Sequence, residues 1–170
     1  MQKKGLVIAL SGKGGVGKTT ATALMAKILS ESNPEKNILV IDANPDSNLP
    51  DLLGIPVKRT VGTVTDDLKK ALEKSEIPPT MTKEDILETR IFEILLETPG
   101  FDLIVMGRGE GEGCYCAVNA FLAHIIDRIM GNYDLTLMDM EAGLEHLSRR
   151  TDRDVDIMIT VTDPSSMGDC

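Results

Sequence analysis

Three groups of residues in this 170-residue chain have the types and spacing for chemistry. The first is Gly12-Lys13-Gly14-Gly15-Val16-Gly17-Lys18-Thr19-Thr20. In a G-x-x-x-x-G-K-[ST] loop the glycines let backbone N–H groups turn inward around phosphate oxygens. Lys18 would stand between the terminal phosphates and the Thr19 hydroxyl would hold Mg²⁺, so the expected ligand is a nucleoside triphosphate, ATP or a relative. A glycine-rich turn that matches by chance is the plain alternative, and the strand and helix that flank the loop argue against it.

The second group is carboxylate-centred. Asp139 closes the apolar run Leu135-Thr136-Leu137-Met138 and would hold Mg²⁺ through water, complementing Thr19. The simpler role for Asp139 is to cap the segment that follows. Gly143, after Ala142, would bring a backbone N–H close to a γ-phosphate. Asp42, Asn44 and Asp46 follow a second apolar run, Ile38-Leu39-Val40-Ile41. The Asn44 amide can position a water but cannot take its proton. Asp42 and Asp46 are candidate ligands of metal-bound water. The third group is Cys114-Tyr115-Cys116. One-residue spacing strains an internal disulfide, and placement just before a helix lowers thiol pKa, which favours thiolates suited to a soft metal. Two sulfurs fall short of a tetrahedral set, which a two-fold dimer would complete. Two ordinary buried cysteines are the other reading.

The elements that must position these groups follow from the apolar pattern. Leu6 to Leu10 reads as a buried strand, and Ala21 to Leu29 has helical spacing. Asn33-Pro34 and Asn37 mark a turn before the strand 38–41, and residues 43–49 form a proline-broken loop. Residues 61–98 read as two helices separated by Pro78-Pro79, with packing and lid surface but no chemistry. Further strands are expected over 101–106, 133–138 and 157–161, with a glycine-rich loop over 107–116 and a helix over 117–130. Continuous apolar strands separated by helices predict an α/β fold: a P-loop NTPase with a mainly parallel sheet and helices on both faces. The loops then lie at the carboxyl ends of the strands, where such sheets bind ligands. Strand order is not readable from this pattern.

Length and composition predict a single domain over 1–170. A net charge of −9 leaves no basic footprint for nucleic acid and disfavours an anionic membrane surface. No apolar run approaches the ~20 residues of a membrane span, and Met1 to Gly5 leads straight into a strand without the form of a signal peptide. Three cysteines do not make a disulfide framework, so a cytoplasmic protein is expected.

Lys13, one residue after the first glycine, gives the loop the K-G-G-V-G-K-T-T form. In this it resembles the deviant Walker-A ATPases, the group of MinD, ParA, the arsenical pump ATPase and the nitrogenase iron protein. The resemblance implies an ATP-dependent homodimer in which Lys13 reaches the nucleotide held by the other subunit. It also implies an aspartate before the proline of the second loop, to orient the attacking water. This chain has Asn44-Pro45 there, so slow hydrolysis is expected.

The stretches Gly107-Arg108 through Cys114-Tyr115-Cys116, Glu141 to Thr151, and Asp154-Val155-Asp156 to Asp163-Pro164-Ser165 are similar to the CooC-type maturation factors. These ATPases help insert nickel into carbon monoxide dehydrogenase and acetyl-CoA synthase. The resemblance implies Ni²⁺ or Zn²⁺ shared between the Cys114 and Cys116 pairs of two subunits, with one of those apo-enzymes as client. Relative to such proteins the chain is expected to be short at its C-terminus, and Cys170 has no assigned role. His124, among Phe121, Leu122, Ile125 and Ile126, reads as a packed or rim residue, and His146 as a relay near the nucleotide. Three other functions stand beside the metallochaperone. An iron-protein-like ATPase would carry a bridging Fe–S cluster. A positioning switch of the MinD or ParA type would need a membrane tail or basic face. A nucleotide-gated binding module would scarcely hydrolyse ATP.

Overall fold

The structure is a computed structural model that describes residues 5–74, 82–108, 124–140 and 155–164. Its elements in chain order are β1 (Leu6–Ser11), α1 (Lys18–Ser32), β2 (Ile38–Asp42), α2 (Leu49–Leu53), α3 (Val61–Glu73), α4 (Lys83–Glu93), β3 (Leu96–Thr98) and β4 (Phe101–Val105). A helical segment over 124–130, here α5, precedes β5 (Leu135–Asp139) and β6 (Ile157–Thr160).

The strands form one six-stranded sheet in the order β3-β4-β2-β5-β1-β6. Every pairing is parallel except β3 with β4. Period-two alternation along each strand sends side chains to two separate cores. On one face Val7, Ala9, Leu39, Ile41, Ile104 and Met138 pack against apolar residues of α3, α4 and α5. On the other, Ile8, Leu10, Val40, Leu103, Val105 and Leu137 meet Ala26 of α1 and Leu49 of α2. Because both faces are covered, the central strands are apolar throughout, as a sheet buried on two sides requires. This is the predicted P-loop fold with its mainly parallel sheet.

Two local expectations are corrected. Helical structure does not extend to residue 98: α4 ends at Glu93, and Leu96–Thr98 pairs antiparallel with β4, Thr98 opposite Phe101. The physical reason is the Pro99-Gly100 turn. Proline cannot continue a helix, and Gly100 adopts φ +100, so the chain reverses into a hairpin. The loop after β2 is also shorter than residues 43–49, because α2 starts at Leu49 with Pro50 in its first turn, a position that needs no N–H donor.

Candidate nucleotide site

The carboxyl ends of β1, β2, β4 and β5 converge on one edge of the sheet, and residues 12–17 leave β1 there. Gly12, Gly15 and Gly17 all turn through positive φ. Gly12 is held by contact as well as conformation: at φ +147, a Cβ would lie 2.2 Å from the Val161 carbonyl oxygen. That carbonyl is close because the Val161 N–H bonds the Ser11 carbonyl at 2.8 Å, tying the exit of β6 to the start of the loop.

Gly17 precedes α1 with no side chain capping the helix, so the first-turn N–H groups and the positive end of the dipole are left for an anion. Lys18 begins α1 and is only 6% exposed. Its ammonium donates to the Lys13 carbonyl at 2.9 Å, which folds the lysine back along the loop. The Lys13 side chain itself is exposed.

Asp139 sits directly beneath this loop. It is in register with Leu10 of β1 on one side and Asp42 of β2 on the other. Hydrogen bonds from Ala43 N–H to the Asp139 carbonyl (2.9 Å) and from Met140 N–H to the Leu10 carbonyl (3.0 Å) fix that position. Burial pushes the Asp139 carboxyl up, while the Thr19 hydroxyl, the Lys18 ammonium and the Thr22 hydroxyl favour its ionised form. These groups stand close by, but neither buried oxygen of Asp139 meets a donor at full hydrogen-bond geometry among the described residues, and the Thr22 hydroxyl proton is already given to the Lys18 carbonyl. A buried carboxylate left so is costly unless a cation or its water completes it. The donor set of Asp139 and the neighbouring Thr19 therefore fits Mg²⁺, which would offset the negative charge of the phosphates it accompanies.

Asp42 is equally buried but differently engaged. Its Oδ1 accepts from the Asn44 N–H at 3.1 Å and its Oδ2 from the Leu49 N–H at 3.2 Å. The carboxylate thus pins both ends of the loop between β2 and α2. Burial pushes its pKa up to about 7 against those two donors, and the neighbouring Asp139 charge adds to the rise. Within the loop, Asn44 Oδ1 accepts from the Asp46 N–H at 3.0 Å, an Asx turn, and the Ser47 N–H returns to the Asn44 carbonyl at 3.0 Å. Asp46 is exposed and pairs with Arg108 at 2.6 Å.

The structure brings together the loop 12–20, Asp42, Asn44 and Asp139. Gly143, Cys114, Cys116, His146 and Cys170 lie outside the described residues. His124 is exposed at the start of the described part of α5. Among the described residues no cluster of three or more His, Cys, Asp or Glu side chains is placed to hold a metal ion. Also among them, no helix is long and apolar enough to cross a membrane.

Sequence reasoning missed Thr22 and Thr60. Thr22 is fully buried, donates to the Lys18 carbonyl at 3.0 Å and acts on Asp139; its place one turn after Lys18 was the available signal. Thr60 has no sequence signal: it packs against Gly107, where an added Cβ would lie 2.5 Å from the Thr60 Oγ1, and that contact depends on where the exit of β4 lands.

The CobQ/CobB/MinD/ParA nucleotide binding domain family matches residues 7–163. An uncharacterized ATP-binding protein of Methanocaldococcus jannaschii is 56% identical over 163 residues, covering 96% of this chain and 64% of its own length. The carbon monoxide dehydrogenase accessory protein CooC of Rhodospirillum rubrum is 33% identical over 168 residues, covering 94% of this chain and 63% of its own length. The chain therefore spans less than two thirds of either relative. Among solved structures, the kinase domain of Escherichia coli tyrosine kinase ETK superposes with a TM-score of 0.61 at 14% identity, over 95% of this chain and 57% of that one, a likeness of fold alone.

Proposed function

Because the chain belongs to the CobQ/CobB/MinD/ParA nucleotide-binding family, we propose that it is an ATPase that dimerises on ATP and carries a metal ion for an apo-enzyme. In this reading the protein is a nickel metallochaperone of the CooC kind, and its client is a carbon monoxide dehydrogenase or acetyl-CoA synthase. The observation that carries the ATPase part is Asp139, whose two unpartnered buried oxygens sit under the phosphate loop beside Thr19 and Lys18. The metallochaperone part is supported by 33% identity to the CooC accessory protein and by the Cys114-Tyr115-Cys116 pair.

The roles divide as follows. Gly12 to Gly17 and the α1 N-terminus bind phosphate through backbone N–H groups. Lys18 neutralises the terminal phosphates, while Thr19 and Asp139 would hold Mg²⁺, which would supply further charge neutralisation there. Lys13, exposed on the loop, acts on the nucleotide of the partner subunit. Asn44 orients the attacking water without accepting its proton, which makes hydrolysis slow. Cys114 and Cys116 from two subunits supply four thiolates to one Ni²⁺ or Zn²⁺.

The test is anaerobic purification with metal analysis, with and without Mg-ATP. A colourless or faintly coloured dimer with nickel or zinc supports the proposal. A brown protein with broad visible absorbance would assign the cysteines to an Fe–S cluster instead. A monomer that binds ATP without metal would leave only a nucleotide-gated binding module.

A further inference from the structure

The buried stripe of α1 is Lys18, Thr22 and Ala26, four residues apart along the face that meets the sheet. Thr22 is the unexpected member. It lies in the second turn, between Ala21 and Ala23, where a β-branched residue forms helix less readily than either alanine. It is fully buried, as is Asp139 on β5, against which α1 packs. An apolar side chain there would bring no polar atom to satisfy, so the hydroxyl needs a reason.

The helix gains little from it. The hydroxyl proton goes to the Lys18 carbonyl at 3.0 Å, an oxygen that an α-helix already serves through the N–H four residues on. Such back-bonding slightly weakens a helix. The neighbour with an unmet need is Asp139. The Thr22 hydroxyl stands beside that carboxylate, yet both carboxylate oxygens are without a partner among the described residues. One buried proton thus rests on an acceptor already served, next to two that are not.

We propose that Thr22 is a positioning residue for the cation site: when Mg-nucleotide fills the loop, its hydroxyl proton turns from the Lys18 carbonyl to Asp139 and fixes that carboxylate. Hydroxyl protons rotate to suit their acceptors, and the Lys18 carbonyl keeps its helical bond. A carboxylate that serves a cation or its water spends only part of its acceptor capacity, and when buried the remainder needs a donor. Thr22 supplies one from within α1. Partners that orient a ligating side chain in this way set metal affinity by roughly 10- to 100-fold. The inference rests on the nucleotide-binding reading above and is independent of the metallochaperone one.

The test uses the whole chain and two replacements that remove different things. Thr22→Val keeps the shape and deletes the hydroxyl, whereas Thr22→Ser keeps the hydroxyl and deletes the methyl. Calorimetry with a non-hydrolysable ATP analogue in EDTA reads nucleotide binding alone. Electron paramagnetic resonance of free Mn²⁺, an oxygen-seeking stand-in for Mg²⁺, titrated into the protein–analogue complex reads the cation site. Thr22→Val should weaken Mn²⁺ binding roughly 10- to 100-fold. It should leave analogue affinity in EDTA unchanged and should not lower the urea midpoint of the nucleotide-free protein. Thr22→Ser should bind Mn²⁺ as the parent does, the reverse of the order expected of a side chain that only fills space. Equal Mn²⁺ affinity in parent and Thr22→Val, or an equal loss in both variants, overturns the role of Thr22 and leaves nucleotide binding standing. A Thr22→Val chain that fails to fold, or loses the analogue equally in EDTA, also overturns it by marking a structural part. A parent that binds no analogue ends the nucleotide reading and this inference together.

Discussion

Asp42 and Asp139 stand opposite each other in register on adjacent parallel strands, both fully buried, and commit their carboxylates differently. Asp42 accepts from two backbone N–H groups and shapes the loop after β2. Asp139 has neither oxygen bonded among the described residues and has Lys18 and Thr19 as neighbours. Two like charges side by side under low exposure explain why one is engaged structurally and the other is left for a cation.

The first prediction concerns pH. The Asp42 carboxyl rises from 3.8 to about 7 on folding, chiefly through burial, so the native state holds a proton that the unfolded chain has lost. Stability of the nucleotide-free protein should therefore be greatest below pH ~4 as far as this group is concerned. It should fall as pH rises toward about 7 and be flat above, a change of at most about 4 kcal/mol. Asp139, also raised by burial, adds a slope of the same sign. Urea midpoints at pH 5 and pH 7.5 should differ less in Asp42→Asn than in the parent. An unchanged difference would assign the whole slope to other groups.

The two lysines of the loop should separate by substitution. Lys18 is buried and folded along the loop, so Lys18→Ala should abolish nucleotide binding by removing the cation among the phosphates. The Lys13 carbonyl accepts from the Lys18 ammonium, and Lys13→Ala retains that carbonyl. That variant should bind ATP as a monomer nearly as the parent does, but dimerise and hydrolyse less. Calorimetry for binding and sedimentation for assembly read the two effects. Equal loss of affinity in both variants contradicts a role for Lys13 across the dimer.

Much of this site was legible in the sequence because it is local. The loop 12–20, the strand-closing Asp42 and Asp139, and the proline-broken loop at Asn44 are fixed by spacing along one segment, and parallel strands place their carboxyl ends together. The order β3-β4-β2-β5-β1-β6 was not legible, since apolar runs carry no information on which neighbour each will take. Nor was the β3–β4 hairpin: Ile91, Ile94 and Leu95 continue a helical spacing that the Pro99-Gly100 turn overrides. The Asp46–Arg108 pair spans 62 residues of sequence, a separation at which opposite charges on two loops have no pattern to betray them.

Asn44→Asp should raise ATP turnover without tightening binding. The replacement keeps an acceptor for the Asp46 N–H, so the Asx turn survives, and it supplies a carboxylate that takes a proton from water. Asp42, beside it, should then be still harder to ionise. Phosphate release under saturating Mg-ATP measures the effect, and an increase of roughly tenfold or more is expected for a general base in place of an amide. If the rate is unchanged or falls, Asn44 does not position the water, and Asp42 becomes the stronger candidate.

The final prediction tests the cysteines against the nucleotide site. Four thiolates from two subunits suit tetrahedral Zn²⁺ or, flattened, square-planar Ni²⁺, so metal should bind at one ion per dimer. A ligand held only by the dimer stabilises it by mass action, so sedimentation should show tighter association with metal present. Thiols must lose protons to ligate, and the affinity should therefore rise with pH. Cys114→Ser with Cys116→Ser should remove the metal, yet leave ATP binding to the subunit nearly intact, because Lys18, Thr19 and Asp139 are assembled by β1, α1 and β5 without either cysteine. Cys170→Ser should change neither property. One metal per monomer, surviving the double substitution, would end the shared site and move the ligand search to His146 and the carboxylates around Asp42.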